Sequence, residues 1–164
     1  MTELIKITGH IALIGIGATL ILDLWGLFQS RVLKMRGLDY AMIGRWVGHM
    51  PHGRFRHPSI LQADSIPGER AMGWIVHYLT GILFAGGLVL FCGVNWLFEP
   101  TFLPAIITGV ITVAAPFLIM QPCLGFGVAA SKTPQPSISR LRSLVTHSVF
   151  GLGLYLSATA IAVI

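Results

Sequence analysis

The sequence predicts an all-α integral membrane protein: a four-helix transmembrane bundle with a short cytoplasmic amphipathic helix in its first loop. Hydrophobic residues make up 54% of the chain and charged residues only 10%, with a mean hydropathy of +0.78. A soluble domain usually carries about 25% charged residues, so this composition excludes an ordinary globular protein. The apolar residues form four long segments, and no alternating pattern indicates the strands of a barrel.

The four apolar segments each approach or exceed the roughly 20 residues that a membrane-spanning helix needs. They cover residues 7–29, 72–97, 102–130 and 144–164, and we expect a single domain over residues 1–164. The first segment is predicted to be a retained helix, because Glu3 precedes it and no small-residue cleavage site follows. The third contains Pro116 and Pro122, which lack the backbone N–H and should interrupt the helix.

The positive charges are concentrated in two of the connecting segments. The loop 31–70 carries seven of the eleven Lys and Arg residues, and the loop after the third span carries Lys132, Arg140 and Arg142. The N-terminal segment has only Lys6. The positive-inside rule therefore predicts that both loops are cytoplasmic and both termini outside. Because these charges adjoin apolar spans, we attribute the net charge of +5 to topology and not to nucleic-acid binding.

Within the loop, residues 38–50 are predicted to form a short amphipathic helix. Apolar residues, among them Ile43, Trp46 and Val47, recur at helical spacing, and Asp39 precedes them as a plausible N-cap. We expect this helix to lie in the membrane interface.

Four polar side chains occur at a similar predicted depth in the four spans. Asp23, His77, Gln121 and His147 all fall within about 5–15 Å of the same membrane face, at a rise of about 1.5 Å per residue. Ionisable groups within a span usually face a bundle interior or water, so we expect these four to converge. In this hypothesis Asp23, His77 and His147 are catalytic and carry protons. The alternative is that they only form hydrogen bonds between helices.

The loop adds further candidates for ligand binding. Arginine forks match phosphate and carboxylate geometry, and histidines exchange protons near neutral pH. The leading hypothesis is a membrane protein that binds, and translocates or modifies, a small or lipid-like ligand in a cytoplasmic-side pocket, and an anionic ligand is one version of this hypothesis. With Gln121, the residues predicted to bind that ligand are Arg45, His49, His52, Arg54 and Glu69.

Two other classes of function stay open at this stage. A metal- or haem-dependent redox enzyme would use the same histidines, with zinc or iron on some of His49, His52, His77 and His147, or with haem between the last two. An accessory or structural subunit would use its polar residues only to join helices. Glycine-rich helix faces permit a homo-oligomer in every case. We expect no disulfide between Cys92 and Cys123, since the topology places them near opposite faces.

The chain resembles an uncharacterised bacterial family of short inner-membrane proteins, catalogued as a domain of unknown function. The resemblance spans almost the whole chain and rests on the segments Gly44–His57, Pro67–Gly81, Pro116–Pro134 and Ser143–Tyr155. It implies a four-span protein of the bacterial inner membrane and carries no activity with it.

Overall fold

The computed structural model describes residues 1–35 and 37–162. Over these residues it is all-helical and without strands, so the predicted fold class is confirmed. The structure has six α-helices, with short 3-10 turns in several of the connections: α1 (Thr2–Arg31), α2 (Tyr40–His49), α3 (Glu69–Cys92), α4 (Phe102–Thr112), α5 (Gln121–Leu124) and α6 (Pro136–Ala162).

Four helical stretches are long and apolar enough to cross a membrane. They are Thr2–Arg31, Glu69–Cys92, Phe102–Leu124 and Pro136–Ala162. Large apolar side chains are exposed along them, including Leu83, Leu90 and Phe91, which are 72%, 84% and 90% exposed. A water-soluble protein rarely exposes so much contiguous apolar surface, whereas lipid requires it. Residues 163 and 164 of the predicted fourth span lie outside the described part of the chain.

The third span is interrupted where its prolines predict. After α4 ends, residues Pro116–Met120 form a π-helical turn that leads into α5. Each proline removes one backbone donor, and in this uncommon π-turn the Gln121 N–H donates to the Pro116 carbonyl, five residues earlier. The span ends at Leu124 because Gly125 adopts the left-handed conformation, with φ of 92°, that terminates many helices.

The helices contribute to two compact units, while the prediction of a single domain stays a prediction. The first unit comprises Met1–Gly37, Tyr78–Thr112 and Val145–Ile164, and the second comprises Leu38–His77 and Val113–Leu144.

Small residues bring the helices of the first unit together. A Cβ added to Gly15 of α1 would meet the backbone of Ile82 in α3, and one added to Gly109 of α4 would meet the backbone of Gly151 in α6. Close backbone approach of this kind replaces hydrophobic exclusion as the source of helix association within lipid. The first unit also has a buried apolar core, in which Ile14, Leu88, Leu97 and Leu154 are at most 1% exposed.

In the second unit, α2 packs tightly against the beginning of α3. A Cβ on Gly44 would clash with the carbonyl oxygen of Glu69, and one on Gly73 with that of Tyr40. The carboxylate of Asp39 accepts a hydrogen bond from the Ala41 N–H at 3.0 Å, which confirms the predicted N-cap.

Candidate functional site

Two of the predicted catalytic residues have hydroxyl partners inside the first unit. The Tyr78 hydroxyl donates to the Asp23 carboxylate at 2.9 Å. The Thr112 hydroxyl lies 2.6 Å from the Gly109 carbonyl and 2.9 Å from Nδ1 of His147. Since the single hydroxyl proton goes to the carbonyl, Nδ1–H of His147 is the donor to Thr112. Both side chains thus tie one helix to another.

The other two members of the predicted cluster lie in the second unit. Nε2 of His77 is 3.0 Å from the Tyr40 hydroxyl, and the rings of Tyr40 and Trp74 lie 4.3 Å apart beside it. Gln121 is only 8% exposed, and its Oε1 has no hydrogen-bond partner among the residues that the structure describes. The four residues belong to two different units, so their convergence stays a prediction. The catalytic roles of Asp23, His77 and His147 stay predictions as well.

Arg45 and Glu69 hold the loop of the second unit in shape. Nε and Nη2 of Arg45 donate to the two carboxylate oxygens of Glu69 at 2.8 and 2.7 Å, and Nη1 donates to the carbonyls of Ile60 and Ala63 at 3.2 Å each. The carboxylate also accepts the Ile66 N–H at 3.0 Å. The hydrogen bond to Glu69 is the main reason that the pKa of Arg45 is raised. Every nitrogen of this guanidinium therefore has an acceptor within the protein.

His49 and His57 form a buried pair. Nδ1 of His49 lies 2.8 Å from Nε2 of His57, and the two residues are 8% and 9% exposed. Nδ1 of His57 is buried with no partner in the described part of the chain. Buried N–H groups without an acceptor are rarer than unfilled acceptors, so we place the neutral ring's proton on Nε2, where it donates to His49.

Burial is the main cause that lowers the pKa of His57, and the nearby charges of His49 and Arg54 lower it further.

The two remaining loop candidates differ from the His49–His57 pair, because His52 and Arg54 are both exposed. In particular, the His49-x-x-His52 spacing does not give a two-histidine contact, since the partner of His49 is His57. No group of three or more His, Cys, Asp or Glu residues in residues 1–35 and 37–162 could hold a metal ion.

A pocket of about 670 Å³ lies in the second unit, between the first loop and the turn that follows the third span. It is lined by Arg56, His57, Pro58, Pro122, Gly125, Gly127, Val128, Ser131 and Lys132. Ligand pockets in proteins usually measure about 300–1,000 Å³. The volume is therefore that of a small-molecule site.

Backbone contacts bring the two walls of this pocket together. The His57 N–H donates to the Cys123 carbonyl at 2.8 Å. A Cβ at Gly125 would clash with the carbonyl of Pro58, and its φ of 92° is one that only glycine adopts easily. Gly127, with φ of 76°, packs against Ser131 and Lys132 within the turn itself. Gly125 thus allows the turn to lie directly against the loop.

The pocket is lined by positively charged residues and by no negatively charged one. Arg56 and Lys132, both exposed, are two cations, and Ser131 adds a hydroxyl. None of the nine lining residues is acidic. Guanidinium, ammonium and hydroxyl groups are all donors, so this arrangement is suited to an anion.

The comparisons with known proteins concern nearly the entire chain. A family model with the description "Protein of unknown function (DUF2938)" matches residues 12–161. The chain belongs to this family. No curated protein and no solved structure matches it.

Membership of the DUF2938 family confirms the resemblance to an uncharacterised family, and the matched residues include all nine that line the pocket. The sequence did not predict that Ser131 and Lys132 line a pocket together with Arg56. A signal was present in the second loop, where the glycines at 125 and 127 are followed closely by a hydroxyl and a cation. Glycine-rich turns beside such residues commonly cradle anions.

Proposed function

We propose that this chain is a bacterial inner-membrane protein that binds a small or lipid-like anionic ligand in the pocket between its two basic loops. The observation that carries the proposal is the pocket of about 670 Å³ that holds Arg56 and Lys132 and has no acidic residue in its lining. Two cations that line one pocket without an acidic residue favour an anionic ligand.

The topology supports a location at the cytoplasmic face. In this proposal all four candidate stretches cross the membrane, so the connection between spans one and two lies on the same side as the connection between spans three and four. Arg56 belongs to the first connection and Lys132 to the second, and both connections are rich in Lys and Arg. By the positive-inside rule this is the cytoplasmic side, with both termini outside.

In this proposal the polar groups within the spans act mainly in packing. Asp23, His77 and His147 each have a hydroxyl partner from another helix. Such hydrogen bonds join helices in a membrane and contribute about 0.6 kcal/mol on average. Ligand binding is assigned instead to the loop pocket, and translocation or modification of the ligand would follow from binding there.

Native mass spectrometry of the purified protein tests the proposal. Wild-type protein should retain an anionic molecule from the membrane, and Arg56→Gln and Lys132→Gln should each retain about tenfold less, as expected for loss of one charge-assisted hydrogen bond. Arg70→Gln and Arg142→Gln remove exposed cations that do not line the pocket and serve as matched controls. Equal retention by all five proteins, with unchanged thermal stability, would refute the proposal.

A further inference from the structure

We infer that the ligand of this pocket is an amphiphile with a terminal phosphate monoester, bound by its phosphate between Arg56, Ser131 and Lys132. The inference rests on the proposed function, that the pocket takes an anion, and adds the chemical class of that anion. Three properties of the lining lead to it: its net charge, the geometry of its donors and its apolar side.

The charge of the lining sets the charge of the ligand. Arg56 and Lys132 bring two positive charges, and no carboxylate among the lining residues offsets either of them. A carboxylate, a sulfate ester or a phosphodiester carries one negative charge and would leave one cation uncompensated. A phosphate monoester carries a charge of about −1.5 to −2 near neutral pH, which matches both.

The donors differ in geometry as well as in charge. The Arg56 guanidinium presents a planar fork, the Lys132 ammonium is a point charge, and the Ser131 hydroxyl donates a single hydrogen bond. A terminal phosphate has three free oxygens that point in different directions, so it can accept from all three groups. A planar carboxylate has two, both in one plane.

Besides these three donors and His57, the lining includes apolar residues. Pro58, Pro122 and Val128 share the pocket with the cations, and the volume of about 670 Å³ leaves room well beyond one phosphate group. Burial of apolar ligand surface against these residues would contribute in proportion to the area removed from water. We therefore assign the ligand an apolar portion that continues from the phosphate.

The experiment compares headgroups on the intact protein. Purified full-length protein is reconstituted in phosphatidylcholine nanodiscs containing phosphatidic acid (a lipid monoester), phosphatidylglycerol (a diester) or a fatty acid. Lipid retained by the protein is counted by native mass spectrometry at about pH 8, well above the second phosphate pKa of about 6. The inference predicts about tenfold preference for the monoester over the other two, and its loss in Arg56→Gln and Lys132→Gln.

The outcomes separate the inference from the proposed function. Equal retention of monoester and diester, with both lost in the two variants, would overturn the inference while the anion pocket stands. Retention that is independent of Arg56 and Lys132, like that of the Arg142→Gln control, would overturn both. Competition with inorganic phosphate shows whether the pocket prefers a lipid phosphate or free phosphate. Displacement of the lipid by an equal concentration of inorganic phosphate would overturn the assignment of an amphiphile. Failure to displace the lipid would support that assignment.

Discussion

Nδ1 of His49 lies 2.8 Å from Nε2 of His57, and each residue is more than nine-tenths buried in the wall of the second unit. One ring must donate and the other accept, so the contact exists only while at least one imidazole is neutral. His57 also lines the pocket, and its backbone N–H holds the turn at Cys123. The protonation state of this pair is therefore coupled to the shape of the pocket wall.

The His49–His57 pair predicts that the protein loses stability in acid. The pKa of His57 is lowered from 6.5, chiefly by burial, so the unfolded chain binds a proton more readily than the folded protein does. Stability from this group is present above a pH of about 6.5 and falls as the pH falls below it. Thermal unfolding in detergent between about pH 7.5 and 5 should show a falling melting temperature over this interval.

Two variants test whether His57 causes this pH dependence of the melting temperature. His57→Gln keeps a group near Nε2 that can bond to His49, yet it does not titrate, so its melting temperature should fall less steeply. His52→Gln removes an exposed imidazole and should behave as wild type. Other charged groups near His57 are Arg54, Arg56 and Lys132. An unchanged slope in His57→Gln would contradict the account.

Loss of either partner of the Arg45–Glu69 pair should destabilise the loop strongly. The pair is bidentate, and its side chains are only 17% and 16% exposed. Arg45→Gln or Glu69→Gln leaves the remaining charge partly buried and unpaired, which costs about 2–4 kcal/mol. Denaturation in detergent should show this loss, and Arg70→Gln, the exposed neighbour, should change stability by less than about 0.5 kcal/mol. Similar small effects at all three positions would refute the role given to the pair.

The contact of α2 with α3 should tolerate no side chain at its two glycines. Gly73→Ala places a methyl group against the Tyr40 carbonyl, and Gly44→Ala places one against that of Glu69. Each should destabilise the protein by about 1–3 kcal/mol through overpacking. The matched control is Gly87→Ala in the same helix α3, where a Cβ meets nothing within 4 Å. There the better helix propensity of alanine should leave stability unchanged or slightly raised.

Thr112 and His147 should contribute to helix association as a pair. Thr112→Val keeps the shape of the side chain and removes the hydroxyl that His147 contacts at 2.9 Å. We expect a loss of about 0.6–1.7 kcal/mol, the range for hydrogen bonds between helices in a membrane. A double-mutant cycle with His147→Asn measures the coupling between them. Strictly additive losses would mean that the two side chains do not act together.

Sequence patterns were sufficient for the helices, because the signals that define them are local. Four apolar segments predicted the four candidate spans, and Asp39 before an amphipathic stretch predicted the capped start of α2. The prolines at 116 and 122 marked the interruption of the third span in the same way. Length, periodicity and capping act over one or two helical turns, so neighbouring residues suffice to read them.

The site was harder to predict because its contacts join distant parts of the chain. Arg45 was predicted to bind ligand, but the structure gives its guanidinium a carboxylate 24 residues away. Arg56 and Lys132 share a pocket where Gly125, with positive φ, lets the turn lie against the loop. No local pattern encodes such an approach, and the charges alone were explained equally well by topology.

The central claim is that the two pocket cations, and not the general positive charge of the loops, bind an anion. The most direct measurement compares the charge-reversed double variants Arg56→Glu/Lys132→Glu and Arg70→Glu/Arg142→Glu, which have the same net charge. Retention of phosphatidic acid in nanodiscs is counted for both by native mass spectrometry. Our account predicts that the first variant loses the lipid and the second retains it as wild type does. Equal retention by the two variants would contradict it.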